Sequence, residues 1–244
     1  MRRFLVMLIF AAQTWLGTEA LASTCTISTL SSYLSLGSAG CTIGNLTFSD
    51  FGLLQQPTNS VPFNDVSVTP VTSGPTLVGL DFGVSARASS GMLFEDLVSY
   101  RISGVAVNGA SLFFSGSKSD PDGSGAVTVV ENLCIGGLFT GGDGVSGCNG
   151  SVQNLIVANS FDFADPPIAL MFSSVLSLSV VTDIAIDGGL GGFAELGSAS
   201  NRFQVVGSNV VPVPEPAEYL LLIAGLLGIY ASRRTSFPRP SKHA

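Results

Sequence analysis

The chain is poor in charge and poorest in cations. Charged residues make up 11% of its 244 positions, and ten Lys and Arg face seventeen Asp and Glu. Between Ser23 and Val210 the only cations are Arg87, Arg101, Lys118 and Arg202. Fourteen acids oppose them, for a net charge of −10 over that stretch. Such a body offers no footprint for nucleic acid or an anionic lipid surface. Histidine is rarer still: the only one is His243, near the C-terminus, so neither a Ser-His-Asp nor a Cys-His arrangement has a base. The cysteines lack CxxC spacing and a nearby histidine, which argues against a zinc site. No stretch of the body carries a sustained helical period, and there are no convincing internal repeats.

What is present is β-forming. Short apolar or alternating runs, separated by Gly, Ser, Asn and Asp, fall at Asn45 to Phe51, Val66 to Val71, Thr76 to Phe82, Leu97 to Val107, Ala126 to Leu133, Val152 to Ala158, Val175 to Ile186 and Arg202 to Val206. About 190 residues suffice for one core. The spacing predicts an all-β fold, an antiparallel β-sandwich with jelly-roll or Ig-like topology, and a barrel as the next choice. Thr26 to Leu36 is read as one short helix or a loop, and Leu93 to Val98 as a possible helical turn. The Gly-rich stretches Gly136 to Gly147 and Gly188 to Gly197 read as long mobile loops.

The two ends carry transport signals. Met1 to Ala22 has the form of a secretory signal peptide, with Arg2 and Arg3, an apolar run from Phe4 to Trp15, and Ala20-Leu21-Ala22 as the small-x-small site. Cleavage between Ala22 and Ser23 is expected. All four cysteines, Cys25, Cys41, Cys134 and Cys148, follow that point and so meet an oxidising compartment. Three pairings are possible, and the local one, Cys25 to Cys41 and Cys134 to Cys148, is preferred. It closes two loops of similar size, each worth roughly 3 kcal/mol in the chain-entropy model.

At the other end, residues 209–216 form a Pro-rich linker. Residues 217–232 form a single transmembrane helix, and 233–244 a basic cytoplasmic tail. The uncharged run Tyr219 to Ala231 rises only about 20 Å as a helix, short of the ~30 Å hydrocarbon core. Arg233 and Arg234 would snorkel to the headgroups.

The order of these parts, Val213-Pro214-Glu215-Pro216, a Leu-rich run with Gly225 and Gly228, then Arg233-Arg234, resembles the PEP-CTERM sorting domain of bacterial exported proteins. The resemblance covers about a tenth of the chain. It implies that Pro214, Glu215, Pro216, Arg233 and Arg234 are read by an exosortase, a membrane protease-transpeptidase that cuts near the motif and delivers the protein to extracellular polysaccharide. Glu218 and the extension from Thr235 to Ala244 depart from the usual pattern. Tyr33 to Gly37, Cys41 to Gly44, Cys134 to Gly137 and Thr182 to Gly189 are similar to the bodies of a group of such proteins, which implies no catalytic residue. An ordinary single-span anchor after a proline-rich linker is the plainer reading of the same tail.

One further motif stands out. Asp120, Asp122, Ser124, Thr128 and Glu131, with Gly125 at the sixth place, follow the order of a calcium loop. The flanking runs read as strands, and a tight Asp-Gly hairpin explains the same residues. Asp120, Asp122, Ser124 and Glu131 are therefore only a weak Ca²⁺ set, and no cofactor is expected. Glu95 and Asp96 are paired acids read as solvated surface, since neighbours on a strand face opposite ways.

The functional expectation is a non-enzymatic exported protein, anchored facing the periplasm and then delivered to the cell surface or extracellular matrix. Its expected partners are an exosortase, exopolysaccharide or biofilm matrix, and the membrane through the C-terminal helix. The alternative is a lectin-like carbohydrate-binding module, for which Tyr33, Tyr100 and Phe161 are the candidate aromatic platform.

Overall fold

A computed structural model describes residues 22–54, 61–62, 64–115, 118–119, 124–141, 145–160, 163–164 and 167–207. The expected signal peptide up to Leu21, and the expected linker, C-terminal helix and basic tail, lie outside the described residues, as do Asp120, Asp122 and Phe161. The described residues belong to one compact unit that ends at Gly207.

Among the described residues thirteen strands and one helix follow in order: β1 Ser23–Thr24, β2 Ser28–Thr29, α1 Leu30–Leu34, β3 Cys41–Ile43, β4 Leu46–Leu53, β5 Ser67–Ser73, β6 Leu77–Ser89, β7 Leu93–Ser115, β8 Lys118–Ser119, β9 Ala126–Ile135, β10 Ser151–Ser160, β11 Phe163–Ala164, β12 Ile168–Asp187 and β13 Phe193–Val205. They form one mixed sheet with the main path β11-β10-β9-β12-β7-β13-β6-β5-β2, and β4 joins along β7. β1 and β3 are parallel, while the other pairs are antiparallel.

β7 organises the sheet. β12 runs beside it over nearly its whole length, while its other edge serves β4 first (Val98 to Gly104) and β13 afterwards (Val107 to Ser115). The handover falls at Gly104, whose φ of 119° is open to glycine and whose added Cβ would come within 2.5 Å of the Asn45 carbonyl oxygen. Register shifts in β12 between Met171 and Ser177 let that strand bend alongside. The sheet therefore curls on itself. Tyr100 of β7 meets Phe82 of β6 at 6.2 Å and Phe203 of β13 at 6.4 Å, and Phe48 of β4 meets Phe203 at 6.3 Å.

Period-two alternation selects the core side chains. Val127, Val129 and Leu133 on β9, Val180, Ile184 and Ile186 on β12, and Ile102 and Leu112 on β7 are buried in it. α1 fits inside the first disulfide loop, capped by Thr29, whose Oγ1 accepts from the Ser32 N–H at 3.3 Å. Leu30 and Tyr33 enter the core, and the Tyr33 hydroxyl donates to the Thr26 carbonyl at 2.8 Å. The cysteines form the two local pairs, Cys25 with Cys41 and Cys134 with Cys148.

Several expectations need correction. Leu93 to Val98 is the start of β7 and not a helical turn, because inward Val98 and outward Ser99 continue the alternation of that strand. Gly188 to Gly197 is not a mobile loop: β13 starts at Phe193, and the turn before it is pinned. The Gly189 N–H bonds Asp187 Oδ1 at 2.8 Å, the Gly188 N–H bonds the Met92 carbonyl at 2.9 Å, and the Gly91 N–H bonds the Gly189 carbonyl at 2.6 Å. Strands β6, β7, β12 and β13 also exceed their apolar runs, since ladder bonds carry Gly, Ser and Asp positions along with their neighbours.

Candidate functional site

Inward-facing polar residues form the first cluster. Tyr100, Glu131, Thr182 and Asn201 are all at most 1% exposed. The Asn201 Nδ2 donates to the Tyr100 hydroxyl at 2.8 Å and to Thr182 Oγ1 at 2.6 Å. Glu131 lies opposite Thr182 in the β9–β12 ladder, and neither of its carboxyl oxygens has a partner. Burial pushes its pKa well above the usual carboxylate range. Burial, and then Glu131, raise Tyr100, against the hydrogen bonds to Asn201 and Thr182. The cluster is sealed and joins β7, β9, β12 and β13 without offering a surface.

This arrangement separates the two described members of the weak calcium set, Ser124 and Glu131. Glu131 takes an inward, sealed slot by strand parity, while Asp120 and Asp122 lie outside the described residues. Ser124 is exposed, with its Oγ accepting from the Gly191 N–H at 3.1 Å. The strands on either side are β8 and β9, not helices, and among the described residues β8 pairs with β13 while β9 pairs with β10 and β12. Among the described residues no group of His, Cys, Asp and Glu is placed to hold a metal.

The aromatic platform is also corrected. Tyr33 and Tyr100 are 2% and 1% exposed, because both occupy inward positions and their hydroxyls are satisfied inside. Burial pushes Tyr33 up to about 12. Asp96 is not solvated: it is buried, and its carboxyl is raised to about 6 by burial, partly offset by a hydrogen bond with the Val61 backbone. Asp183 is raised to about 6 by burial and then by Glu95.

The open candidate is on the outward face. Register places Cys134, Ser179, Arg101 and Ser49 in one row across β9, β12, β7 and β4, with Ser99 and Val181 in the next. The Cys134–Cys148 disulfide roots a loop on this face. That loop is laced by Thr140 Oγ1 to the Gly147 carbonyl at 2.7 Å, the Gly141 N–H to the Ser146 carbonyl at 3.0 Å, and the Leu138 N–H to Asn149 Oδ1 at 2.7 Å. Its pinning replaces the expected mobile loop over the described residues. Leu138 and Phe139 are thereby set against the strands, and a pocket of about 260 Å³ remains between Asp50, Ser99, Arg101, Ser179 and the loop.

Two details mark this pocket. Asp50 sits at a register shift in β4 with φ of 53°, in the left-handed region, and Ser49 Oγ donates to its Oδ2 at 3.2 Å. The Arg101 Nε is buried without a partner. A second groove, about 360 Å³, is lined by Leu77, Phe113, Ile168 and Arg202. There the cation is already satisfied, with Arg202 paired to Asp81 at 3.3 Å and 5.1 Å from the Phe113 ring centre. Arg101 and Asp50 carry no sequence motif. Only strand register and a bulge bring them together.

No family model and no curated protein matches this chain. Solved structures with partial likeness include TmCBM61 in complex with β-1,4-galactotriose (11% identity, TM-score 0.27, 56% of this chain and 81% of that one). The Glycosylation Associate Protein (Gap123) complex from Streptococcus agalactiae aligns at 15% identity and TM-score 0.27. The enzymatically active domain of Bacteriophage CBA120 tailspike protein 4 aligns at 14% and 0.21. Both of these alignments cover 68% of this chain, but only 27% and 20% of the respective partners. Similarity of this order transfers neither fold nor function.

Proposed function

We propose that the chain is a non-enzymatic exported protein whose curled sheet is a β-sandwich, sorted by its C-terminal tail and processed by an exosortase into the exopolysaccharide matrix. The observation that carries this reading is the pairing of all four cysteines downstream of the signal peptide, which fits an oxidising, extracellular environment. In this reading Pro214, Glu215 and Pro216 are the processing motif, and Arg233 and Arg234 hold the precursor at the membrane. Among the described residues no helix is long and apolar enough to cross a membrane; in this reading residues 217–232 are the anchor. Expression in hosts with and without an exosortase tests it by intact mass and location. Loss of the residues after Pro216, with release only where the enzyme is present, is expected; the full-length protein retained in the membrane of both hosts refutes it.

The outward pocket favours a second reading, in which the exported body also binds carbohydrate. Its Asp50 and Arg101 line the same pocket without forming an ion pair with each other.

A further inference from the structure

We propose that the pocket between Asp50, Ser99, Arg101, Ser179 and Phe139 binds one neutral sugar unit of a glycan. This rests on the carbohydrate-binding reading and assigns it a place and a ligand class.

Arg101 differs from the other described arginines. Arg202 has its carboxylate, and Arg87 lies 4.1 Å from the centre of the Phe193 ring. Arg101 has neither, and its Nε is sheltered from water with no acceptor. That nitrogen is too enclosed to meet a ligand, but the side chain lines the pocket, and a guanidinium without a carboxylate gains from an acceptor brought by a ligand. Asp50 supplies the opposite function, a carboxylate that only accepts. A left-handed conformation unusual for a non-glycine residue holds it there, with its N–H bonded to the Gly37 carbonyl at 2.9 Å.

The ligand chemistry follows from that pair. Vicinal hydroxyls accept from a guanidinium and donate to a carboxylate at once, and Ser99 and Ser179 do either. Leu138 and Phe139 give an apolar wall for the C–H face of a ring. The volume, about 260 Å³, falls just under the ~300–1,000 Å³ typical of sites for larger ligands. It suits one ring rather than an oligosaccharide. One cation and one anion make the pocket neutral, and the acidic body, with its four cations and fourteen acids, repels a polyanion. A neutral sugar is therefore the better fit than a uronate.

The test uses the full chain in detergent on an array of neutral and uronate oligosaccharides, followed by titration of whichever neutral glycan binds. Arg101→Met is expected to weaken binding about tenfold or more, and Asp50→Asn severalfold, from loss of a charged hydrogen bond. Arg202→Met, in the other groove, is expected to bind as the wild type does. Because Asp50 is exposed, Asp50→Asn decides the matter if Arg101→Met fails to fold. Wild-type binding that neither substitution weakens overturns the pocket while leaving the carbohydrate reading standing. Binding of uronates alone overturns the neutral assignment. Binding of no glycan on the array overturns both the site and the reading beneath it.

Discussion

The two disulfide loops are covalently alike and physically opposite. Their sequence separations are 16 and 14, so the chain-entropy contribution is nearly the same, roughly 3 kcal/mol each. The first loop is swallowed by the core. Leu30 is fully buried, and Tyr33 packs edge-on to Phe51 at 5.1 Å, which stacks in turn on Tyr100 at 5.5 Å. The second rests on the outward face, with Leu138 and Phe139 half-buried and Val145 37% exposed. A crosslink of given length thus stabilises the whole unit or shapes one surface, depending on what its loop buries.

Core truncation is the sharpest way to break that comparison. Leu30→Ala is expected to cost about 2–5 kcal/mol, as for a fully buried leucine that leaves a cavity. Leu138→Ala is expected to cost under about 1 kcal/mol, because its site faces solvent on one side. Equal losses in chemical denaturation would show that the second loop is as integral as the first.

Removing the crosslinks gives the next largest contrast. Cys25→Ala with Cys41→Ala is expected to lower stability by about 3 kcal/mol. Cys134→Ala with Cys148→Ala is expected to cost less in global unfolding, since the loop detaches locally while the core stays closed. Hydrogen exchange at Leu138 and Gly141 should then rise while exchange in β9 and β12 stays slow. Faster exchange in β9 as well would count against local detachment.

The smallest effect concerns pH, and it separates the strands from both loops. Asp96 and Asp183 are raised to about 6, and Glu131 is raised well above the usual carboxylate range, all first by burial. A carboxyl whose native pKa exceeds its unfolded value binds more protons in the native state. The native state therefore gains stability as pH falls from about 6 toward 4, and loses it as pH rises through 6. The melting temperature should rise by a few degrees on acidification from pH 7 to 5, at about 2–4 °C per kcal/mol for a domain of this size. The first loop contains no acid, so its crosslink should leave that slope unchanged. A melting temperature that falls over the same range would mean that burial does not raise these carboxyls above their unfolded values.

Much of the strand order was legible because apolar alternation is local. Val127 and Val129, or Ile184 and Ile186, announce an inward face from their spacing alone. The lengths were not legible: the glycines and serines of β7 and β13 pair only because a neighbouring ladder is already in place. Tyr100 illustrates the failure most clearly. An aromatic next to Arg101 and Ser99 reads as surface, yet strand parity turns it inward, where Asn201, far along the chain, supplies its hydrogen bond.

The sequence by itself determined an acidic, β-rich body and made export, with signals at both ends, the expectation, since charge, cysteine placement and terminal motifs are properties of composition and order. It also favoured the local disulfides, because short loops bring their ends together readily. Only the tertiary structure decided which acids are buried, which loop enters the core, and that Asp50 and Arg101 share a pocket. Those outcomes depend on register across β4, β7 and β12, and a shift of one residue would turn every side chain involved to the opposite face.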